Sequence, residues 1–170
     1  MSEFWATLIG AAVGVIAGAF IQYLVQYYVD RRTQRDQRAA LKKEMQCNLH
    51  LISELQAEAG RLRNAVNGDA LTSYFGFFNY EKGLFAQAGA LLANGMLYRW
   101  YSIEQLKKLQ AVSYAMNINT SNFINQSITQ RRDAATKGEL NKVEMVQFVN
   151  FIESELQNNK YLLEEFIAII

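Results

Sequence analysis

The sequence predicts an all-α protein: one N-terminal transmembrane helix followed by a cytoplasmic helical bundle of three long helices and one short one. Three observations lead there. The 170 residues contain no proline, where average usage gives about eight, so long helices run uninterrupted. Residues 4–29 form a stretch of 26 without a charge, although the mean hydropathy of the whole chain is only −0.08. Two later segments repeat apolar residues alternately four and three apart, the spacing of a heptad seam.

The first element runs from Phe4 to Val29. As a helix it is about 39 Å long, against a hydrocarbon core of about 30 Å. Phe4 and Trp5 stand at one end and Tyr23, Tyr27 and Tyr28 at the other, where amphipathic rings favour the interface. Ala17-Gly18-Ala19 looks like a signal-peptide cleavage site, but the cationic leading region is missing and the apolar run is too long. A retained span is therefore expected. Arg31, Arg32, Arg35, Arg38, Lys42 and Lys43 follow it. Such an excess is held on the cytoplasmic side, which puts the N-terminus outside, and it suits anionic lipid headgroups.

Ala6, Gly10, Gly14 and Gly18 recur every fourth residue and lead into Gln22 and Gln26. Glycines at this spacing let two backbones approach closely, which points to a self-associating helix and a homo-oligomer. The two amides fit either a water-filled path between helices or simple snorkelling to the headgroups.

Residues 31–68 read as a basic juxtamembrane segment continuing into a long helix, and residues 69–170 as the rest of the bundle. Leu41, Met45, Asn48, Ile52, Leu55, Ala59, Leu62 and Val66 form the first seam. It faces either the protein's own helices or another copy. A buried asparagine in such a seam sets register at a cost in stability, so Asn48→Leu is expected to stabilise the bundle. Gly68 fits the helix-ending position. Nine of the 21 aromatic residues fall between Tyr74 and Tyr101, a glycine-rich portion expected to hold a short helix from about Tyr80 to Ala93 and a turn at Asn94-Gly95. Ser102-Ile103-Glu104-Gln105 reads as a capping box opening a helix that continues to about Ala135. After a turn at Lys137-Gly138 comes the second seam: Met145, Val149, Ile152, Leu156, Asn159, Leu163, Phe166 and Ile170.

Catalysis has little to work with. One cysteine, Cys47, leaves no internal disulfide, and one histidine, His50, excludes every motif that needs two. His50 and Glu54 are one turn apart, but two side chains hold a metal only weakly. In the helical ribonuclease domains that use Arg-x4–6-His, arginine would stand at Lys43, Glu44 or Met45, so that motif is absent. No phosphate-cradling loop or acidic cluster is present, and no enzyme activity, metal or cofactor is expected.

Charge is unevenly distributed. Residues 31–43 carry six bases against one acid; residues 61–132 carry eight against three; residues 133–170 carry three against seven. Either the acidic last helix packs beside the basic middle, or Arg99, Lys107, Lys108, Arg131 and Arg132 form an anion site. In the second case Trp100 and Tyr101 would stack on a base while Arg99 meets a phosphate.

A short outside N-terminus, a glycine-rich span, an arginine-rich exit and a helical cytoplasmic domain together resemble small prokaryotic membrane effectors of antiphage defence. In outline the chain is similar to CRISPR-associated accessory membrane proteins, both those of type III systems that bind cyclic oligoadenylate and the type VI-B pore former. The resemblance covers the whole length in architecture, through generic motifs. It implies an inner-membrane oligomer that permeabilises or depolarises the membrane when activated, by a cyclic oligoadenylate or by a protein partner from the defence system. The alternative is a passive anchor or scaffold that recruits a soluble partner through the aromatic region.

Overall fold

The computed structural model describes the backbone of residues 2–170 and the side chains of residues 14–170. Among the described residues there is no strand, as the sequence predicts. Six α-helices follow one another: α1 (Ser2–Asn67), α2 (Ala86–Ala93), α3 (Met96–Trp100), α4 (Ile103–Ala115), α5 (Ile118–Thr136) and α6 (Lys142–Ile169). Two 3-10 turns, Leu71–Ser73 and Tyr80–Lys82, lie between α1 and α2. The chain divides into two compact units, residues 1–40 and 41–170.

Among the described residues no helix is long and apolar enough to cross a membrane. The expected span, Phe4–Val29, is described in full only over its second part. The side chains of its first ten residues are not described, and the described remainder, residues 14–29, has 16 residues, short of the roughly 20 a crossing takes.

Both heptad seams build the core of the second unit. From Leu41 to Val66 every seam residue of α1 is buried, and so is every seam residue of α6 from Met145 to Phe166. The α1 seam thus faces the protein's own bundle. Each fully buried Leu, Ile or Phe contributes about 1.5–3 kcal/mol. Polar bonds flank the apolar contact: Arg63 donates to both oxygens of Glu153 at 2.7 and 2.5 Å and to Asn150 at 2.6 Å.

The helix boundaries show where side chains compete with the helical ladder. α1 ends in a Schellman turn: Ala70 N–H reaches the Ala65 carbonyl at 2.8 Å, and Asp69 N–H the Val66 carbonyl at 3.4 Å. The left-handed residue is Asp69, with φ +54°, rather than the expected Gly68. Gly138, φ +75°, closes α5 in the same way, with Glu139 N–H on the Ala134 carbonyl at 2.9 Å.

The helix expected from Tyr80 to Ala93 begins only at Ala86. Asn48 takes the groups Leu84 would give a helix: its Oδ1 accepts from Leu84 N at 2.6 Å and its Nδ2 donates to Leu84 O at 2.7 Å. One turn earlier on α1, Glu44 accepts from Gln87 N at 2.7 Å and Ala88 N at 3.0 Å, capping α2. Beyond the Asn94-Gly95 turn, where Gly95 has φ +75°, stands the short α3, which the sequence reading missed.

The helix expected from Ser102 to Ala135 starts with its capping box formed but breaks at Met116-Asn117. The Asn117 side chain accepts from the N–H groups of Asn119 and Thr120 and starts a new helix. On α5, Asn125 clamps the aromatic segment, accepting from Phe78 N at 2.9 Å and donating to Phe78 O at 2.8 Å. Ser121 Oγ takes Tyr80 N–H at 2.8 Å. Residues 74–84 are therefore held by side chains of α1 and α5 in place of a ladder. The passage is tight: a Cβ at Gly76 would lie 1.7 Å from Glu58 Oε1.

Candidate functional site

Two features stand out: the apolar part of α1, and a groove on the bundle. Every residue from Gly14 to Asp36 is exposed, including Val15 at 71%, Phe20 at 61% and Val25 at 57%. Gly14 and Gly18 have nothing within 4 Å of an added Cβ, so no contact among the described residues demands a glycine at either place. Gly10 lies outside the residues whose side chains are described. Gln22 is exposed, and Gln26 Nε2 donates to Asp30 Oδ1 at 3.3 Å, one turn on. Where the apolar run ends, Tyr23 and Tyr27 stack at 6.5 Å, and the Arg31 guanidinium lies 4.8 Å from the Tyr27 ring centre.

The expected anion site is dispersed by the fold. Tyr101 is buried, its ring 5.2 Å from Phe166 and edge-on to Trp100 at 6.4 Å. It builds the core and presents no face for a base to stack on. Trp100 is half-buried beside it, and Arg99 is exposed in the last turn of α3. Lys108 is paired with Glu165 at 2.5 Å. Arg131 lies 4.3 Å over the Phe148 ring, while Arg132 lies 5.0 Å from the Phe75 ring and donates to the Tyr74 carbonyl at 3.4 Å. Phe148 and Glu165 are about 25 Å apart along α6, so the cations of α5 do not meet those of α4. Arg99 and Lys107 remain exposed without an ion pair among the described residues.

Lys107 does line a groove. α2, α3 and α4 enclose about 390 Å³ between Ala88, Leu92, Tyr98, Ile103, Leu106 and Lys107. Its floor is apolar, while Leu92, Tyr98 and Ile103 on its rim are 44%, 65% and 71% exposed. The sequence reading missed these three residues. The signal was Ile103, an apolar side chain directly after the Ser102 cap, where a first helical turn is normally wet.

His50 and Glu54 approach to 3.5 Å but are exposed at 79% and 59%. Among the described residues no three metal-ligating side chains come together. Cys47 is exposed and unpaired.

No protein-family model matches the chain, and neither a curated protein nor a solved structure does.

Proposed function

We propose that the chain is a single-span protein of a prokaryotic inner membrane, with its N-terminus outside and its helical bundle in the cytoplasm. It self-associates through the face of Gly10, Gly14 and Gly18 and, when activated, permeabilises or depolarises the membrane without enzymatic chemistry. The observation that carries this reading is the uncovered apolar helix directly before exposed Arg31, Arg32 and Arg35. A helix apolar on every side needs a partner or lipid to cover it, and the cations suit an anionic headgroup layer beside it. The setting in antiphage defence, and gating by a cyclic oligoadenylate through Arg99 and Lys107, rest on the resemblance in outline.

Two measurements test it. In intact cells, a cysteine placed by Ser2→Cys reacts with an impermeant thiol reagent, whereas Cys47 reacts only after permeabilisation. A potential-sensitive dye then reports loss of membrane potential when the protein is activated. Extraction of the chain with the soluble fraction, or the opposite labelling pattern, overturns the topology.

A second reading has an observation of its own. The apolar groove of α2–α4 with Lys107 at its edge suits an apolar peptide segment with acidic flanks, as a membrane-anchored scaffold requires. Under that reading the dye signal stays unchanged, while Ile103→Asp abolishes capture of the partner.

A further inference from the structure

The two seam asparagines differ in a way that helix packing alone does not explain. Asn48 is satisfied by Leu84 on both sides of its amide. Asn159, 4% exposed, makes no side-chain hydrogen bond among the described residues, yet its amide is not one of the sealed polar atoms left without a partner, so it is open to the water of the cavity it lines. Its side chain lines a second cavity of about 380 Å³, formed where the α4–α5 corner meets α6. A cavity of this size is in the range that holds a small ligand.

The surroundings of that amide define a chemistry. Tyr114, Phe123 and Phe151 supply three aromatic rings, 81%, 58% and 50% exposed. Tyr80, 2% exposed, also lines the cavity. Burial, and then the charge of Glu155, raises the Tyr80 phenol well above its ordinary value, so its hydroxyl keeps its proton. Glu155 itself lines the cavity and makes no ion pair among the described residues. No lysine or arginine lines it.

We infer that this cavity binds a small organic cation that carries N–H groups, such as a guanidinium or a polyamine. Three aromatic side chains and one exposed carboxylate at the lining favour a cation over an anion. Glu155 accepts its N–H groups in charge-assisted bonds, and Asn159 Oδ1 accepts a further one at the floor. A phosphate or carboxylate ligand would meet Glu155 with no cation to offset it. The site is therefore separate from the exposed Arg99 and Lys107, and it stands whether or not α1 spans a membrane.

The test is calorimetric titration of the full chain in detergent with agmatine, which carries a guanidinium and an ammonium. Tetramethylammonium, a cation without N–H groups, and glucose, a neutral polyol, serve as comparisons. Agmatine is expected to bind at least about tenfold more tightly than either, since it alone can make charge-assisted hydrogen bonds to Glu155. Glu155→Gln and Asn159→Leu should each weaken it by about tenfold or more with unchanged far-UV circular dichroism, whereas Glu139→Gln should not. Absence of agmatine binding, equal affinity in Glu155→Gln, or tighter binding of glucose overturns the proposal. Should either variant unfold, agmatine must still raise the melting midpoint of the unaltered chain; no shift rejects the site.

Discussion

Asn48 in the α1 seam and Asn159 in the α6 seam look alike in the sequence, each the single amide in a run of apolar residues spaced four and three apart. Both are buried, at 0% and 4% exposure. Asn48 meets extended backbone and bonds both the N–H and the carbonyl of Leu84. Asn159 meets a cavity and bonds neither. An amide in a seam is thus not one device. Next to unladdered backbone it substitutes for a backbone partner; next to a cavity it is an open hydrogen-bonding group that a ligand can use.

The largest expected effect comes from breaking the first half of that comparison. Asn48→Leu leaves two backbone groups of Leu84 without their partner and frees the segment that positions α2. We expect a loss of about 2–4 kcal/mol, read as a lower urea midpoint for the bundle. This sign is opposite to the one expected when the asparagine is taken as a register device between copies. A variant as stable as the parent would show that residues 74–84 are held by packing alone.

Gly76→Ala tests the same clamped segment from its other end. Its Cβ would lie 1.7 Å from Glu58 Oε1 and 2.4 Å from the Tyr74 hydroxyl oxygen. Those atoms are themselves bonded at 2.6 Å, so neither yields freely, and the cost should be about 1–3 kcal/mol. Gly89, with nothing within 4 Å of an added Cβ, is the control. Gly89→Ala in α2 should gain about 0.5–1 kcal/mol by helix propensity. Equal midpoints for the two variants would mean that the Glu58–Tyr74 contact relaxes without cost.

The seams were legible because heptad spacing is local, and burial of Leu41 through Val66 and of Met145 through Phe166 follows from it directly. The capping box at Ser102 was legible for the same reason. The break at Asn117 was not: an asparagine inside an uncharged amide-rich helix reads like its neighbours until its side chain takes the N–H groups of Asn119 and Thr120. The late start of α2 was hidden because its cause lies 36 residues away, at Asn48. Cation clustering failed for a related reason. Arg99 and Lys108 are close in sequence to Trp100 and Tyr101, but Tyr101 is needed in the core and Lys108 by Glu165. The cavity at Asn159 draws on α4, α5 and α6, whose juxtaposition no local pattern encodes.

A smaller effect, of opposite sign, is expected from the second half of the comparison. Asn159→Leu removes an amide that bonds no other side chain or backbone group and places methyl groups at the cavity. It should leave stability unchanged or raise it by up to about 1 kcal/mol, while agmatine binding falls. A loss of 2 kcal/mol or more, on the order of Asn48→Leu, would mean that Asn159 is bonded through ordered water and belongs to the first class after all.

The smallest effect concerns the next polar contacts along α6. Glu165 accepts from Lys108 Nζ at 2.5 Å and from the Tyr161 hydroxyl at 2.7 Å. The bond from Lys108, then that from Tyr161, holds its carboxyl below its ordinary value of 4.5. The bond to Glu165 in turn raises Lys108 above 10.5. A depressed carboxylate stabilises the fold above its unfolded value, and that contribution is lost as pH falls through the folded one. A raised lysine stabilises below its unfolded value, and its contribution is lost as pH rises through the folded one. The pair therefore contributes between those limits and declines on both sides. The side chains are 40% and 35% exposed, so water and salt screen the attraction. Melting midpoints of the parent and Glu165→Gln should differ slightly at neutral pH and converge in acid below the folded carboxyl value. The difference should also narrow at neutral pH in 1 M salt, where the screening length falls to about 3 Å. A difference that persists in acid would assign the role of Glu165 to its packing between α4 and α6 rather than to its charge.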